Sequence, residues 1–542
     1  MLNKCYCATC IGVEAVVVTV EIDLSTGIGI HLVGLPDSAV RESLLRVITA
    51  LTSYGFRIPG RKLVVNLAPA DIRKEGSAYD LAIALGLLAV SEQVSLVDCD
   101  RFVIMGELAL DGRIRPVTGV LPVALQARAD GFLGCIFPAD SAREASEVEG
   151  LAVYGVSTLG QAIEVLTRRE ECSHLRVRPA GQEAAFQPSG NDFRQVRGQH
   201  VAKRGMEIAA AGGHNLILVG SPGSGKSLMA SCLPSILPPM SRDEAIETGK
   251  VYSVAGRGVR IGGLMRERPF RAPHHSASLV SLIGGGPQAG PGEVSLAHNG
   301  VLYLDEMAQF PRSLLDALRQ PMEDGRVTIS RARYKVDYPA DFMLIASMNP
   351  CPCGYFGDEA GRCSCSRGAV EGYLSRISGP LMDRIDLQVA VRSLSAVELL
   401  GISSPGSSGL PSSDSSGLPS SGSSGLPSSE GSGLPQEEPS AAIAARVARA
   451  RAVQTARFAD EAIHTNAAMN ARLIERFCPL SDDCRRTLRN ILDRMGLSAR
   501  AYTRILKVAR TIADLAGAPG IQPAHLLEAA GFRFLDRRRI FD

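Results

Sequence analysis

The sequence predicts a multidomain α/β protein that ends in a helical domain. Three observations carry this expectation. Strand-like runs alternate with helical runs over residues 1–175, and again over residues 192–394. A glycine-rich loop, Gly220 to Ser227, stands between an apolar run and a helical one. From Ala441 to Asp542 the chain is rich in Ala, Leu and Arg, with its apolar residues at helical spacing. At about 100–200 residues per domain, the 542 residues accommodate three such domains.

Composition narrows the classes further. A hydrophobic share of 45% allows a core in every domain. The 58 Lys and Arg residues nearly balance the 56 Asp and Glu residues, leaving a formal net charge of +2. Bulk charge therefore points to no partner, and any nucleic-acid surface has to be a local patch. The longest apolar run, Tyr79 to Val90, falls well short of the ~18 residues that span a bilayer, so no membrane role is expected. Lys4 and a weak apolar stretch interrupted by Glu14 make a poor signal peptide. Thirteen cysteines without a secretory signal indicate reduced thiols or a metal site rather than a disulfide scaffold, and a cytoplasmic protein.

The elements follow in order. Residues 1–175 form an α/β domain with strands at Ala15 to Ile22, Lys62 to Leu67 and Arg101 to Met105, and helices at Ser38 to Leu51 and Asp80 to Val90. Residues 176–191 are polar, with little hydrophobic pattern, and read as a linker. Residues 192–400 alternate buried-looking strands with helices, as a parallel sheet covered on both faces requires. Residues 401–440 are mostly Ser, Gly and Pro, with Leu410, Leu418, Leu426 and Leu434 each in a Ser-Gly-Leu-Pro copy. One apolar residue in each copy buries too little area to offset ordering entropy, so this repeat is expected to be a disordered linker. Residues 441–542 then supply four or five helices, interrupted at Gly496 and around Gly517 to Gly520.

The loop Gly220, Ser221, Pro222, Gly223, Ser224, Gly225, Lys226 and Ser227 has the strand–loop–helix setting of a phosphate-binding loop. Its glycines let backbone amides turn onto phosphates, and the following helix adds the positive end of its dipole. Lys226 is expected to reach the β- and γ-phosphates of ATP, and Ser227 to ligate Mg²⁺. Downstream, the apolar run from Val301 to Leu304 ends in Asp305 and Glu306. Asp305 is placed to hold the magnesium shell and Glu306 to polarise the attacking water. A further apolar run, Phe342 to Met348, delivers Asn349, whose amide is placed to orient the same water. Gly27 and Gly29 lack a third glycine at position 32, which rejects a dinucleotide site there.

Arg384, in Gly379-Pro-Leu-Met-Asp-Arg384, is the candidate arginine finger for a neighbouring subunit's γ-phosphate, which requires a ring of subunits. Arg500 opens a helix of the last domain and is the favoured nucleotide contact in cis, with Arg504 its rival one turn later. Cys351, Cys353, Cys363 and Cys365 form two Cys-x-Cys pairs around a nine-residue loop, suited to a closed structural Zn²⁺ site; the alternative is four free thiols. Gly325 to Pro339 reads as a hairpin with Arg331, Arg333 and Lys335 at a basic tip, either a solvated turn or a nucleic-acid contact. Adjacent residues seldom converge on one ion, so His274 and His275 are not expected to bind metal. Cys5, Cys7 and Cys10 are taken as interior residues.

Together these motifs resemble an AAA+ ATPase, with Asp192, Val196, Gly198 and Gln199 resembling the box that opens such modules. Arg268-Pro-Phe-Arg-Ala-Pro-His-His-Ser276, Ala297 to Glu306 and Ser347-Met-Asn-Pro-Cys-Pro-Cys-Gly354 resemble the magnesium-chelatase-like branch, and within it the YifB/ComM family. Val33-Gly-Leu-Pro-Asp37 and Asn66-Leu-Ala-Pro-Ala-Asp71 extend the resemblance towards the N-terminus. It implies a hexameric ring motor driven by ATP and Mg²⁺, acting on single-stranded or branched DNA in recombination and natural transformation. In that family setting the hairpin with Arg331, Arg333 and Lys335 would face the pore and track phosphates. The stretch from Gly284 to Gly292, with His274 and His275, resembles the second insert of the branch.

The first domain resembles the Lon-protease-type fold (ribosomal S5 domain 2-type) through Lys74-Glu-Gly-Ser77-Ala and Gly106 to Gly112. The position at which that family's catalytic lysine falls is Leu121, so Ser77 lacks its base and the domain is expected to be non-proteolytic. The last domain would be the helical lid. Two rival functions stay open: an ATPase subunit of a metal chelatase, and a regulatory ATPase that remodels proteins without translocating.

Overall fold

A computed structural model of the chain describes residues 2–179, 191–258, 263–331, 334–357, 361–393, 437–496 and 498–536. Most of the linker expected at 176–191 and nearly all of the repeat expected at 401–440 lie outside these residues. The chain divides into two compact units. One comprises Met1–Gln187, Pro239–Leu302 and Ser313–Met343; the other comprises Pro188–Pro238, Tyr303–Arg312 and Leu344–Asp542.

The first unit is built on a seven-stranded mixed sheet. Its strands are β1 (Leu2–Ile11), β2 (Glu14–Ser25), β3 (Ile30–Val33), β4 (Lys62–Ala68), β5 (Phe102–Ile104), β6 (Gly134–Pro138) and β7 (Ala152–Val156), in the order β3-β4-β2-β1-β5-β6-β7. β1 and β2 form a long antiparallel hairpin, in register from Leu2↔Asp23 to Ile11↔Glu14. The sequence reading did not single out β1, because Asn3, Lys4 and Thr9 dilute its apolar alternation. Cys5 and Cys7 share its buried face, and Cys10 is half-buried.

Helix Asp80–Val90 has the predicted bounds, and ten of its eleven residues are buried. An apolar run with no polar face has to be covered on all sides, and here β1, β2 and helix Ser38–Ser53 pack on it. A Cβ on Gly86 would stand 2.7 Å from Ile22 Cδ1, so glycine lets the helix approach the sheet. Helix Ser38–Ser53 begins where the Asp37 carboxylate accepts the Val40 amide at 2.8 Å. Arg46 on this helix pairs with buried Asp80 at 2.8 Å, and Ser43 donates to the same carboxylate.

The first unit also holds the predicted hairpin, whose strands Arg326–Arg331 and Tyr334–Pro339 are paired from Arg326↔Pro339 to Arg331↔Tyr334. Val327, Ile329, Val336 and Tyr338 are buried, and Thr328, Ser330, Lys335 and Asp337 are exposed, a period-two alternation.

In the second unit the strands β8 (Leu216–Gly220), β9 (Gly300–Leu304, through its last two residues), β10 (Phe342–Met348, from Leu344 on) and β11 (Leu387–Val391) lie in the order β9-β10-β8-β11. β8 is central, in parallel register with β10 (Leu216↔Ile345) and β11 (Leu216↔Leu387). All five residues of β8 are buried, as expected of an inner parallel strand. Five α-helices follow among the described residues: Ser440–Arg457, Ala471–Phe477, Asp482–Met495, Ala499–Leu515 and Pro523–Gly531. Helix Asp482–Met495 buries Cys484, Leu488 and Ile491 on one stripe and ends at Gly496, whose φ of 60° suits glycine.

A buried polar network joins these helices to the sheet of the same unit. His214 lies 3.1 Å from Asp386 through Nδ1 and 2.8 Å from Thr511 through Nε2. Asn466 donates to Thr511 and Asp514, and Arg457 and Arg510 both pair with Asp514. Among the described residues, no helix is long and apolar enough to cross a membrane.

Candidate functional site

The phosphate loop leaves the buried end of β8. A Cβ on Gly220 would stand 2.3 Å from the Val391 carbonyl, so the loop starts with no room for a side chain. Gly223 and Gly225 have φ of 76° and 87°, and nothing lies within 4 Å of where their Cβ atoms would be. Glycine is required there by backbone conformation, and the space beside both residues is open.

Lys226 opens helix Lys226–Cys232, and its ammonium donates to the carbonyls of Gly220 at 2.7 Å and Ser221 at 2.8 Å, and to Asn349 Oδ1 at 3.3 Å. Burial lowers its pKa, opposed by the charges of Asp305 and Glu306. The Ser227 hydroxyl donates to Asp305 Oδ2 at 3.0 Å. Burial raises the Asp305 pKa, but hydrogen bonds from Ser347, Tyr303 and Ser227 outweigh it, and the carboxyl stays below its ordinary value. Lys226, Ser227, Asp305 and Asn349 are thus brought together by the ends of three strands, β8, β9 and β10.

Glu306 follows Asp305 at φ 51° and ψ 48°, a left-handed conformation that costs a non-glycine residue on the order of 1–3 kcal/mol. Its amide donates to Ser347 Oγ and to Asp305 Oδ1, both at 3.1 Å. Ser347 in turn donates to Asp305 Oδ1. Ser347 therefore fixes both acidic residues, and the sequence reading missed its part. A small hydroxyl inside an apolar run carries no local signal, and its role arises only when β10 lies beside β9.

The candidate arginines stand on a second cluster. Arg384 donates to the Pro380 carbonyl at 2.6 Å, and its own carbonyl accepts from Asn215 at 3.0 Å. Arg500 is exposed and pairs with Asp383 at 2.9 Å; Arg504 pairs with Asp386. Burial would raise the Asp386 pKa, but Arg504 and His214 hold it far below the usual carboxylate range.

The four predicted cysteines do converge. The Sγ atoms of Cys351, Cys353, Cys363 and Cys365 all lie within 4.8 Å of one another. Three of the separations are 3.3, 3.8 and 3.6 Å. A tetrahedral site with Zn–S of ~2.3 Å has edges of about 3.8 Å, so the cluster is already close to that shape. Hydrogen bonds from the Tyr355 amide and from Cys351 bring the Cys353 thiol down to about 6.

In the first unit, Ser77 donates to Glu107, which pairs with Arg115 at 3.0 Å, and Lys74 is buried with its ammonium on the Pro69 carbonyl. Leu121 is buried, and its amide donates to Ser253 at 3.3 Å. At the hairpin tip, Lys335 is exposed opposite Ser330 and Arg331 is in register with Tyr334; Arg333 lies outside the described residues. The His274 and His275 rings stack at 4.0 Å, and among the described residues only the four cysteines group as metal ligands.

Comparison with known proteins identifies the family. The family model for magnesium chelatase subunit ChlI matches residues 192–399, that for subunit ChlI of Mg-chelatase residues 20–141, and that for the subunit ChlI C-terminal region residues 437–533. The chain is 39% identical to the uncharacterized protein YifB of Salmonella typhimurium, covering 97% of this chain and 96% of that one. It is 41% identical to competence protein ComM of Haemophilus influenzae, over 98% and 97%. The chain belongs to the YifB/ComM family of magnesium-chelatase-like AAA+ proteins. Its likeness to a magnesium-chelatase proper is more distant: 27% identity to the 67 kDa subunit of Chlorobaculum parvum, over 29% of this chain and 23% of that one. Membership of this AAA+ family implies ATPase activity, with ATP and Mg²⁺ as its cofactors.

Proposed function

We propose that this YifB/ComM-family chain hydrolyses ATP as a hexameric ring and uses the cycle to move on single-stranded or branched DNA in the cytoplasm, with a part in recombination and natural transformation. The observation that carries the reading is the set Lys226, Ser227, Asp305, Glu306 and Asn349 at the ends of β8, β9 and β10. These residues fit a magnesium nucleotide. The space beside Gly223 and Gly225 is open, and Ser227 with Asp305 offers the oxygen donors that a hard cation takes. When bound, Mg²⁺ would offset the charge of the β- and γ-phosphates. Lys226 binds those phosphates, Asn349 orients the attacking water and Glu306 accepts its proton. Arg384 supplies the finger to the neighbouring subunit, and Arg500, with Arg504 its rival one turn later, contacts the nucleotide in cis from the helical lid.

Ser347 positions this machinery. Ser347→Ala is expected to lower ATP turnover by about 10–100-fold, as loss of outer-shell partners does at other metal sites, with little change in nucleotide affinity measured without Mg²⁺. An unchanged turnover would remove Ser347 from the site.

We further read the first domain as a Lon-like scaffold without peptidase activity, supported by the aliphatic, buried Leu121 where that family has its catalytic lysine. Cys351, Cys353, Cys363 and Cys365 are read as a structural Zn²⁺ site on the sulfur geometry given above.

The DNA reading draws on exposed Lys335 and the Arg331 and Arg333 of the hairpin sequence, and on similarity to a protein named for competence. Its test is ATP hydrolysis by the purified chain alone and with single-stranded, duplex or forked DNA. Stimulation by DNA is expected. The Arg331→Ala/Arg333→Ala protein should lose affinity at every DNA sequence and flatten the salt dependence by about one unit of slope per arginine. Hydrolysis indifferent to all the DNAs would turn the assignment to a protein-remodelling ATPase, or to the chelatase subunit that the likeness to Chlorobaculum parvum supports.

A further inference from the structure

The four-cysteine cluster sits against the nucleotide site of its own unit. Cys351 lies two residues beyond Asn349 and is completely buried. The turn that carries it closes when the Gly354 amide donates to the Cys351 carbonyl at 3.0 Å. Gly354 has φ of 87°, and its backbone is pressed onto the phosphate loop. A Cβ there would stand 2.6 Å from Pro222 Cδ, 2.8 Å from Pro222 Cγ and 3.8 Å from Asn349 Cγ. One short turn thus holds two cluster thiols, touches the loop at Pro222 and follows directly on the residue that receives the Lys226 ammonium.

We propose that Zn²⁺ bound by Cys351, Cys353, Cys363 and Cys365 acts as a buttress for the phosphate loop, so that metal occupancy sets nucleotide affinity and turnover. This rests on the readings of Gly220 to Ser227 as the ATP site and of the cysteines as the zinc site. The physical argument is one of constraint. The segment between the cysteine pairs contains Gly354, Gly357 and Gly361, all with positive φ, which leaves the backbone freedom for a metal to remove. Four metal–thiolate bonds would close this loop and fix the Cys351–Gly354 turn, and with it the surface on which Pro222 and Asn349 rest. Without the metal, one backbone hydrogen bond and weak thiol contacts are what hold the turn.

The test uses the full chain purified without chelator. Zinc is counted per chain, and affinity for a fluorescent ATP analogue and ATP turnover are measured. Zinc is then stripped with a zinc-selective chelator while Mg²⁺ stays in solution. About one zinc per chain is expected, with affinity or turnover falling about 10–100-fold on stripping and returning with Zn²⁺ but not with extra Mg²⁺. Gly354→Val retains all four cysteines but drives a side chain into Pro222; it is expected to keep its zinc and lose nucleotide affinity. Hydrogen exchange of the loop amides should accelerate on stripping, while helix Ala499–Leu515 keeps its protection.

Less than about 0.2 zinc per chain would end the metal reading, and the buttress with it. A zinc-loaded chain that fails to bind the analogue would end the nucleotide reading. Zinc-loaded protein that binds the analogue through Lys226, yet is indifferent both to stripping and to Gly354→Val, would overturn the buttress alone. Loss of exchange protection throughout the unit on stripping would overturn it as well, in favour of a general folding role.

Discussion

ATP hydrolysis by the Glu306→Gln protein is expected to fall by about 10²–10⁴-fold, the usual contribution of a positioned general base, while nucleotide binding persists. The geometry argues for this separation. The Glu306 amide is held by Ser347 and Asp305, so the backbone that aims the side chain does not depend on its charge. Glutamine keeps the length and shape of the side chain and removes its ability to accept a proton. The groups that would hold the nucleotide, Lys226 and Ser227, come from the end of β8, separated from β9 by β10, and are untouched. Lys226→Ala should fail differently, through weakened binding, because it removes the cation that would face the phosphates. Phosphate release and binding of a fluorescent analogue, measured on both proteins, check the pair. Near-normal hydrolysis by Glu306→Gln would take Glu306 out of the reaction and place the base elsewhere.

How much of this site the sequence revealed follows from how local each signal is. Lys226 and Ser227 were legible because a phosphate loop is a contiguous run whose glycines, lysine and hydroxyl all act within eight residues. Asp305, Glu306 and Asn349 were legible because each ends an apolar run; β10 has the predicted bounds, Phe342–Met348. The all-apolar helix Asp80–Val90 was equally plain. Ser347 was not, since it points at Asp305 only because two strands lie side by side. Gly354 was read as part of a cysteine loop, and its packing on Pro222 crosses more than a hundred residues of sequence. The choice between Arg500 and Arg504 turned on helix phase: one turn apart, the first reaches half-buried Asp383 and the second reaches buried Asp386, which also holds His214. Periodicity locates such a helix but does not say which turn meets a partner from another element.

Arg384→Ala is expected to lose about 10³–10⁵ in ATP turnover, the value of an arginine finger, and the manner of the loss decides whether it acts across subunits. Arg384 lies between the short helix Gly379–Met382 and β11, in a segment pinned from both sides. Asn215 donates to its carbonyl at 3.0 Å, and the neighbouring Asp383 and Asp386 are engaged by Arg500 and Arg504. The segment therefore presents Arg384 from a rigid base, which a group that must meet a phosphate within hydrogen-bonding reach requires. In a head-to-tail ring, every interface is the same, and each site takes its loop from one subunit and its finger from the next. Lys226→Ala subunits lack the loop lysine but keep the finger; Arg384→Ala subunits have the reverse. Each protein alone should be inactive. Mixed rings should regain part of the turnover, because some interfaces bring an intact loop against an intact Arg384. A finger acting on its own subunit's nucleotide would leave every mixture as inactive as its parents, since neither chain then carries both groups.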